Sequence, residues 1–186
     1  MELYKALCEI SGEGNVLKDE PMKMHTTFRI GGPADYFVTP QSVEEIRGTL
    51  ALCRKENVPY YIIGNGSNLL VGDGGFRGVV LQIFKKMNDV RVEGERVTAQ
   101  AGVLLSKVAS AAYNASLTGL EFAAGIPGTL GGAVRMNAGA GECSCPDAGG
   151  RASDDSGGRT GTCLPYQCGR KERLCGGRSN TQTEKG

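Results

Sequence analysis

The chain has 186 residues and a mass of 19.5 kDa, enough for one ordinary domain or two small lobes around a buried core. Its formal net charge of +1 gives no basic field for nucleic acid and no acidic tail, which leaves small-molecule chemistry as the expected activity. No apolar run approaches the roughly 18 residues of a membrane span. The first residues carry Glu2, Lys5 and Glu9 where a secretory leader needs an apolar stretch. A cytoplasmic setting without a membrane is therefore expected.

The periodicities alternate between strand and helix. ADYFVTP, residues 34–40, is an apolar and aromatic run closed by Pro40 and reads as a strand. Ser42 with Glu45 is a capping-box signature, and Val43, Ile46, Leu50 and Cys53 keep helical spacing, which predicts a helix over residues 43–56, ending before Pro59. YYIIG, residues 60–64, is continuously apolar and predicts a strand buried on both faces that feeds a glycine loop. GVVLQI, residues 78–83, is a further strand. Over residues 89–102, Val90, Val92, Val97 and Ala99 alternate around Glu93-Gly94-Glu95, which predicts a hairpin. A helix from Leu104 to about Ala115 follows, with Gly119 beyond its end. The pattern is that of an α/β protein.

Composition changes abruptly late in the chain. After Met136 there is no Ile, Val, Met or Phe, and five of the seven cysteines (Cys143, Cys145, Cys163, Cys168 and Cys175) lie there, with only Cys8 and Cys53 upstream. Such a segment has little to bury and is expected to stay disordered. Its cysteine spacings lack the paired C-x2-C pattern of a structural zinc site and the only histidine, His25, lies far upstream, so no metal is expected.

Three glycine-rich stretches carry the chemical signal: TTFRIGGPAD (residues 26–35), GNGSNLLVGDGG (64–75) and GIPGTLGGAVRMNAGA (125–140). Glycine lets the backbone approach a ligand and take positive φ, and successive N–H groups form anion-binding concavities. Several such loops in one small body suggest a phosphorylated cofactor. The second stretch is not a Rossmann turn, because Leu69 stands where the third glycine of G-x-G-x-x-G belongs. A P-loop is excluded as well, since no Gly-Lys pair exists. What remains is a loop whose amides at Asn65, Gly66, Ser67 and Asn68, with the Ser67 hydroxyl and Asn68 amide, suit a pyrophosphate without a cation. In the third stretch, Thr129 can donate a hydroxyl hydrogen bond, and Gly131 and Gly132 allow a flat ring or phosphate to approach; Thr129 and Asn137 equally suit turn or cap duty. Arg29 and Arg135 could meet phosphates or solvent, and His25 suits a structural turn better than catalysis.

HTTFRIGGPADYFVTP, YYIIGNGSNLLVGDGGFRGVVL and GLEFAAGIPGTLGGAVRMNAGA together resemble the UDP-N-acetylenolpyruvoylglucosamine reductase (UDP-N-acetylmuramate dehydrogenase) family of peptidoglycan synthesis, in order and spacing from about Met22 to Ala140. The resemblance implies a flavin-binding fold of the vanillyl-alcohol oxidase type, in which two α/β lobes clasp FAD. It divides the chain into an N-terminal segment 1–21, a first FAD-binding lobe 22–80, a partial second lobe 81–140 and a non-matching tail 141–186. It implies that Gly64, Asn65, Gly66, Ser67, Asn68 and Leu69 wrap the FAD pyrophosphate, and that Ile126, Pro127, Gly128, Thr129, Gly132, Ala133 and Asn137 line the flavin. It implies NADPH as reductant and UDP-N-acetylglucosamine enolpyruvate as the substrate reduced to UDP-N-acetylmuramate. The family's proton-donating serine and its assisting glutamate and arginine come later in its pattern than Ala140. Here the chain continues GECSCPDAGG, and its nearest approach to a Tyr-Arg-x-Ser motif is Tyr166 followed by Gln167, so no catalytic residue is carried over. The tail from Gly141 is read as an out-of-frame or misassembled translation, and the chain as a catalytically incomplete fragment. A flavin-binding remnant without chemistry, or a related FAD-dependent oxidase, would share the same loops.

Overall fold

The computed structural model describes residues 3–138; the tail beyond Ala140 lies outside the described residues. A four-stranded sheet and a two-stranded hairpin, each covered by helices, form the body. The four-stranded sheet is built from β1 (Val16–Pro21), β2 (Pro33–Val38), β3 (Tyr60–Ile63) and β4 (Phe76–Gln82), in the spatial order β1-β2-β4-β3. β1 runs antiparallel to β2, with Val16 opposite Val38, whereas β2, β4 and β3 run parallel, with Val79 opposite both Tyr36 and Tyr60.

The side-chain alternation of these strands assigns the two faces of the sheet different coverings. On one face Val16, Val38, Val79 and Leu81 meet Leu7 of α1 (Leu3–Ser11) and Cys53 of α2 (Val43–Lys55). On the other, Phe37, Val80, Ile63 and Ala34 pack beneath Met22, Leu69 and Val71, which belong to connecting loops. Helices therefore cover one face and glycine-rich loops the other. α2 starts where the capping signature places it: the Ser42 Oγ accepts the Glu45 N–H at 3.2 Å, while Glu45 reaches back to the Gln41 N–H at 2.9 Å. Its ends suit the helix dipole, with Glu44 and Glu45 in the first turn and Arg54 and Lys55 in the last. α1 and α2 approach closely because Gly48 presents no side chain to Ile10.

Three expectations change. The strand at residues 60–63 is not buried on both faces: β3 is the edge of the sheet, and Tyr61 and Ile62 are 52% and 44% exposed. Its apolar run reflects one buried residue, Ile63, and half-buried Tyr60 rather than a central position. Residues 3–21 are not separate from the first lobe, since they supply α1 and β1, and the division at residue 80 falls within β4. The third glycine-rich stretch is not all loop, because residues Leu130–Met136 form a helix, α4.

The second body starts with the expected hairpin, β5 (Val90–Glu93) and β6 (Arg96–Ala99), closed by Gly94 at φ +59. Val90, Val92, Val97 and Ala99 turn toward Val108 and Ala112 of α3 (Leu105–Asn114). Leu105 and Ala109, elsewhere on α3, pack with Ala123 and with Ala133 of α4. The hairpin pairs with no further strand among the described residues, and Tyr113 at the end of α3 is 82% exposed.

Candidate functional site

The three glycine-rich stretches, far apart in sequence, converge on the end of β3. Gly66, at the centre of the second loop, is buried and has φ +71, a left-handed backbone that glycine adopts without strain. A Cβ there would strike the His25 carbonyl oxygen, and the loop is tied to the first stretch by the Thr27 N–H donating to the Gly66 carbonyl at 3.2 Å. Two residues earlier, a Cβ on Gly64 would strike the Thr129 hydroxyl of the third stretch. A Cβ on Gly128 would lie 3.7 Å from the Ser67 Oγ. The far end of the second loop is locked as tightly: the Gly32 N–H donates to the Gly72 carbonyl at 3.0 Å, and side chains on Gly32 or Gly75 would meet the carbonyls of Asp73 or Pro33.

Within this frame, the backbone N–H groups of Asn65, Gly66, Ser67 and Asn68 donate to no acceptor among the described residues. Four successive donors without a protein acceptor on a glycine-bearing loop are a set that could hold an anion. The donor set could hold a diphosphate, while the glycines at 64 and 66 let the loop pack against Thr129 and the His25 carbonyl. The loop then runs on as a turn and an extended segment rather than a helix, in keeping with the failure of the Rossmann pattern.

The third stretch is held by the second body. The Gly128 carbonyl accepts the Leu105 N–H at 2.9 Å, and the N–H groups of Leu130 and Gly131 donate to the carbonyls of Val103 and Ala101 at 2.7 and 2.8 Å. Thr129 is 1% exposed; its hydroxyl caps α4 by accepting the Gly132 N–H at 3.3 Å and faces the gap left by Gly64. Asn137 ends the same helix at φ 49, ψ 43, a left-handed C-cap. The structure thus gives both residues capping duties. Ala133 faces the core beside Leu105 and Ala123, Ile126 is half-buried against the same cluster, and Pro127 is exposed. The residues brought to the second loop are therefore Gly128 and Thr129.

The first stretch contributes more than its glycines suggested. The His25 ring stacks on Phe37, with centroids 3.9 Å apart, and its Nε2 lies 2.8 Å from the Glu20 carboxylate on β1. This tether fixes the backbone carbonyl that meets Gly66, so the sole histidine serves the loop structurally. The pairing was not legible from spacing, because it depends on β1.

The sequence model of the FAD binding domain family matches residues 34–147, which contain the second and third stretches, β2 after Pro33, β3 to β6, and α2 to α4. The chain belongs to that family. The match extends past Ala140, where the motif resemblance stops. The chain is 58% identical over 132 residues to the UDP-N-acetylenolpyruvoylglucosamine reductase of Clostridium botulinum, covering 71% of this chain and 43% of that protein. It is 56% identical over 140 residues to the Clostridium perfringens reductase, covering 75% and 46%. The chain thus spans less than half the length of these relatives. Among solved structures, the UDP-N-acetylenolpyruvylglucosamine reductase of Thermus caldophilus aligns with a TM-score of 0.53 at 36% identity, over 67% of this chain and 42% of its own. p-Cresol methylhydroxylase aligns with a TM-score of 0.55 at 20% identity, over 72% and 28%, a likeness of fold alone. The α/β fold is the FAD-binding fold of the vanillyl-alcohol oxidase type. Among the described residues, no helix is long and apolar enough to cross a membrane, and no group of three or more His, Cys, Asp or Glu side chains is placed to hold a metal ion.

Proposed function

We propose that this FAD binding domain seats the FAD of a UDP-N-acetylenolpyruvoylglucosamine reductase, with the diphosphate of the cofactor on the amides of residues 65–68. The observation that carries the reading is the set of four N–H donors without protein acceptors, on a loop whose glycines are enforced by His25 and Thr129. Gly64 to Leu69 would hold the diphosphate, and Gly128 with Thr129 would close the loop from the second body. Ile126, Pro127, Gly132, Ala133 and Asn137 would support the flavin mainly through the placement of α4, since Ala133 and Asn137 are engaged in core packing and capping. The first lobe would include residues 3–21 and run to the end of β4, and the second would follow it.

Bound FAD supplies hydride transfer to the enolpyruvyl double bond of UDP-N-acetylglucosamine enolpyruvate, with NADPH as the source of electrons. This chain's part is to bind and orient: the loop would hydrogen-bond a diphosphate, and the buried Thr129 contact fixes the loop's position relative to the second body. Kinship with the reductases supports the substrate, NADPH and a cytoplasmic setting, and the near-neutral charge supports the absence of a nucleic acid or membrane partner. No residue of this chain is assigned the proton-donating role, so turnover by the 186-residue chain is not expected.

Titration of the chain with FAD, followed by flavin fluorescence, tests the seat. Saturable quenching at one flavin per chain, weakened in Ser67→Pro, is the expected result. Free-flavin fluorescence at all protein concentrations would refute it.

A further inference from the structure

The two bodies meet without a shared strand or a shared core. The four-stranded sheet and the hairpin are separate sheets, and each buried apolar cluster among the described residues draws on one body alone. Relative motion is the default for bodies joined across a seam without an apolar core, so their orientation depends on specific contacts. Thr129 against Gly64, at the end of β3, is one such contact. A second is polar: the Lys86 ammonium donates to the Asn15 Oδ1 at 2.6 Å. Asn15 precedes β1 and Gly64 follows β3, and β1 and β3 are the two outer strands of the sheet. The second body is thus fastened near both sides of the first.

Both partners of this bond are themselves held. Asn15 is 8% exposed; its side-chain amide donates to the Ser11 carbonyl at 2.6 Å, and its backbone carbonyl accepts the Thr39 N–H at 2.9 Å. Its Oδ1 is therefore fixed by α1 and by the chain leaving β2. Lys86 lies in the link between β4 and β5, which its contacts assign to the second body. The Met87 carbonyl accepts the Gly102 N–H at 2.9 Å, and the Lys107 ammonium of α3 donates to the Asn88 carbonyl at 2.9 Å. A Cβ on Gly102 would strike the Met87 and Phe84 carbonyl oxygens, so the link lies directly on that residue. The neighbouring carbonyls of Ala101 and Val103 accept the N–H groups of Gly131 and Leu130, immediately after Thr129. Backbone contacts thus lead without a break from Lys86 to Thr129.

We propose that Lys86 is a positioning residue: its bond to Asn15 sets how the second body closes on the loop after β3, and through that closure how tightly FAD is held. The effect on FAD rests on the cofactor seat proposed above; the closure does not. Without the bond the second body samples open orientations, and a ligand that needs the closed one binds more weakly in proportion to the closed fraction. Loss of one hydrogen bond from a charged donor corresponds to about a three- to tenfold weaker affinity.

Nitrogen-15 NMR of the full chain, with Lys86→Met and Lys86→Arg, tests this. Lys86 is exposed and methionine keeps most of its stem, so unchanged amide resonances over β1 and β2 will confirm that the variant is folded. In Lys86→Met the resonances of Gly64, Ser67, Gly128 and Thr129 should move, and residues 90–136 should tumble faster than residues 16–82. Arginine, which keeps a donor, should return both to the parent values. FAD titrations on the same samples should show the three- to tenfold loss in Lys86→Met and less than about a twofold loss in Lys86→Arg. Shifts confined to the surroundings of residues 15, 39 and 86, uniform tumbling in Lys86→Met, or equal effects of the two variants would overturn the closure. An unchanged FAD affinity in a loosened Lys86→Met would overturn its link to the cofactor. A parent chain that binds no FAD would refute the seat, and the resonances and tumbling would still decide the closure.

Discussion

Replacing Gly66 by alanine tests the frame of the cofactor seat most directly. The new Cβ would overlap the His25 carbonyl oxygen and lie 3.0 Å from the His25 carbonyl carbon and 3.1 Å from the Thr26 Cα, all backbone atoms that cannot rotate away. Overpacking of this kind costs about 1–3 kcal/mol, and forcing a side chain into the left-handed region at φ +71 adds about 1–2 kcal/mol. The expected loss is about 2–5 kcal/mol, or a fall in Tm of about 4–20 °C for a domain of this size. Differential scanning fluorimetry of Gly66→Ala beside Gly74→Ala gives the comparison, because Gly74 is exposed, has no atom within 4 Å of an added Cβ, and should tolerate alanine within about 0.5 kcal/mol. FAD binding should fall with Gly66→Ala and not with Gly74→Ala. A Gly66→Ala protein that melts within about 2 °C of its parent and binds flavin equally well would refute the packing argument.

Other expectations follow from single contacts. Thr129→Ala should cost about 1 kcal/mol through loss of the α4 cap, yet it should partly rescue Gly64→Ala, because the Thr129 hydroxyl is the atom the new methyl strikes. A double-mutant cycle in urea should show about 0.5–3 kcal/mol of favourable coupling, and additive losses would rule the contact out. Ser42→Ala should destabilise by about 1 kcal/mol with unchanged flavin binding, since the cap lies on the helix-covered face of the sheet; a change in flavin affinity at equal stability would contradict that placement. Burial pushes the Cys53 thiol above its ordinary value, so the unfolded chain loses this proton first as pH rises. Its contribution is fully present below the unfolded pKa of about 8.5 and is lost as pH climbs through the folded value, by up to about 1.4 kcal/mol per pH unit. Urea midpoints at pH 7.5 and 9.5 should therefore draw apart less in Cys53→Val than in the parent, and equal alkaline losses would show that another group is responsible.

The elements with strong periodicity were legible: the cap and apolar spacing of α2, the hairpin around Gly94, and α3 all stand where their residues indicate. The edge position of β3 was not, because continuous apolar character is shared by central strands and by an edge strand that leaves Tyr61 and Ile62 in solvent. β1 carries Lys18, Asp19 and Glu20 and buries little beyond Val16, so it has no apolar alternation to read and exists by pairing with β2. α1 had a readable signal in Leu3, Leu7 and Ile10, which share a helical face. α4 was obscured by Gly131 and Gly132, poor helix formers, although Thr129 at its start and Asn137 at its end are suitable caps. Gly131 is retained there because a side chain would lie 2.9 Å from the Ala101 Cβ. For the site, composition showed that glycines mattered, but not which carbonyl or hydroxyl enforced each one.

The convergence of residues 25–27, 64–67 and 128–129 also dictates an order of assembly. The loop after β3 is framed from far along the chain: Gly66 by residues about forty positions earlier, and Gly64 by a threonine about sixty-five positions later. On the ribosome the sheet can gather its helices as soon as β4 is made, while the loop after β3 lacks one wall until Thr129 has emerged and the second body has positioned it. Closure of this frame is consequently a late event in the life of the nascent chain, and a peptide copied from residues 60–75 would carry the glycines without the walls that hold them.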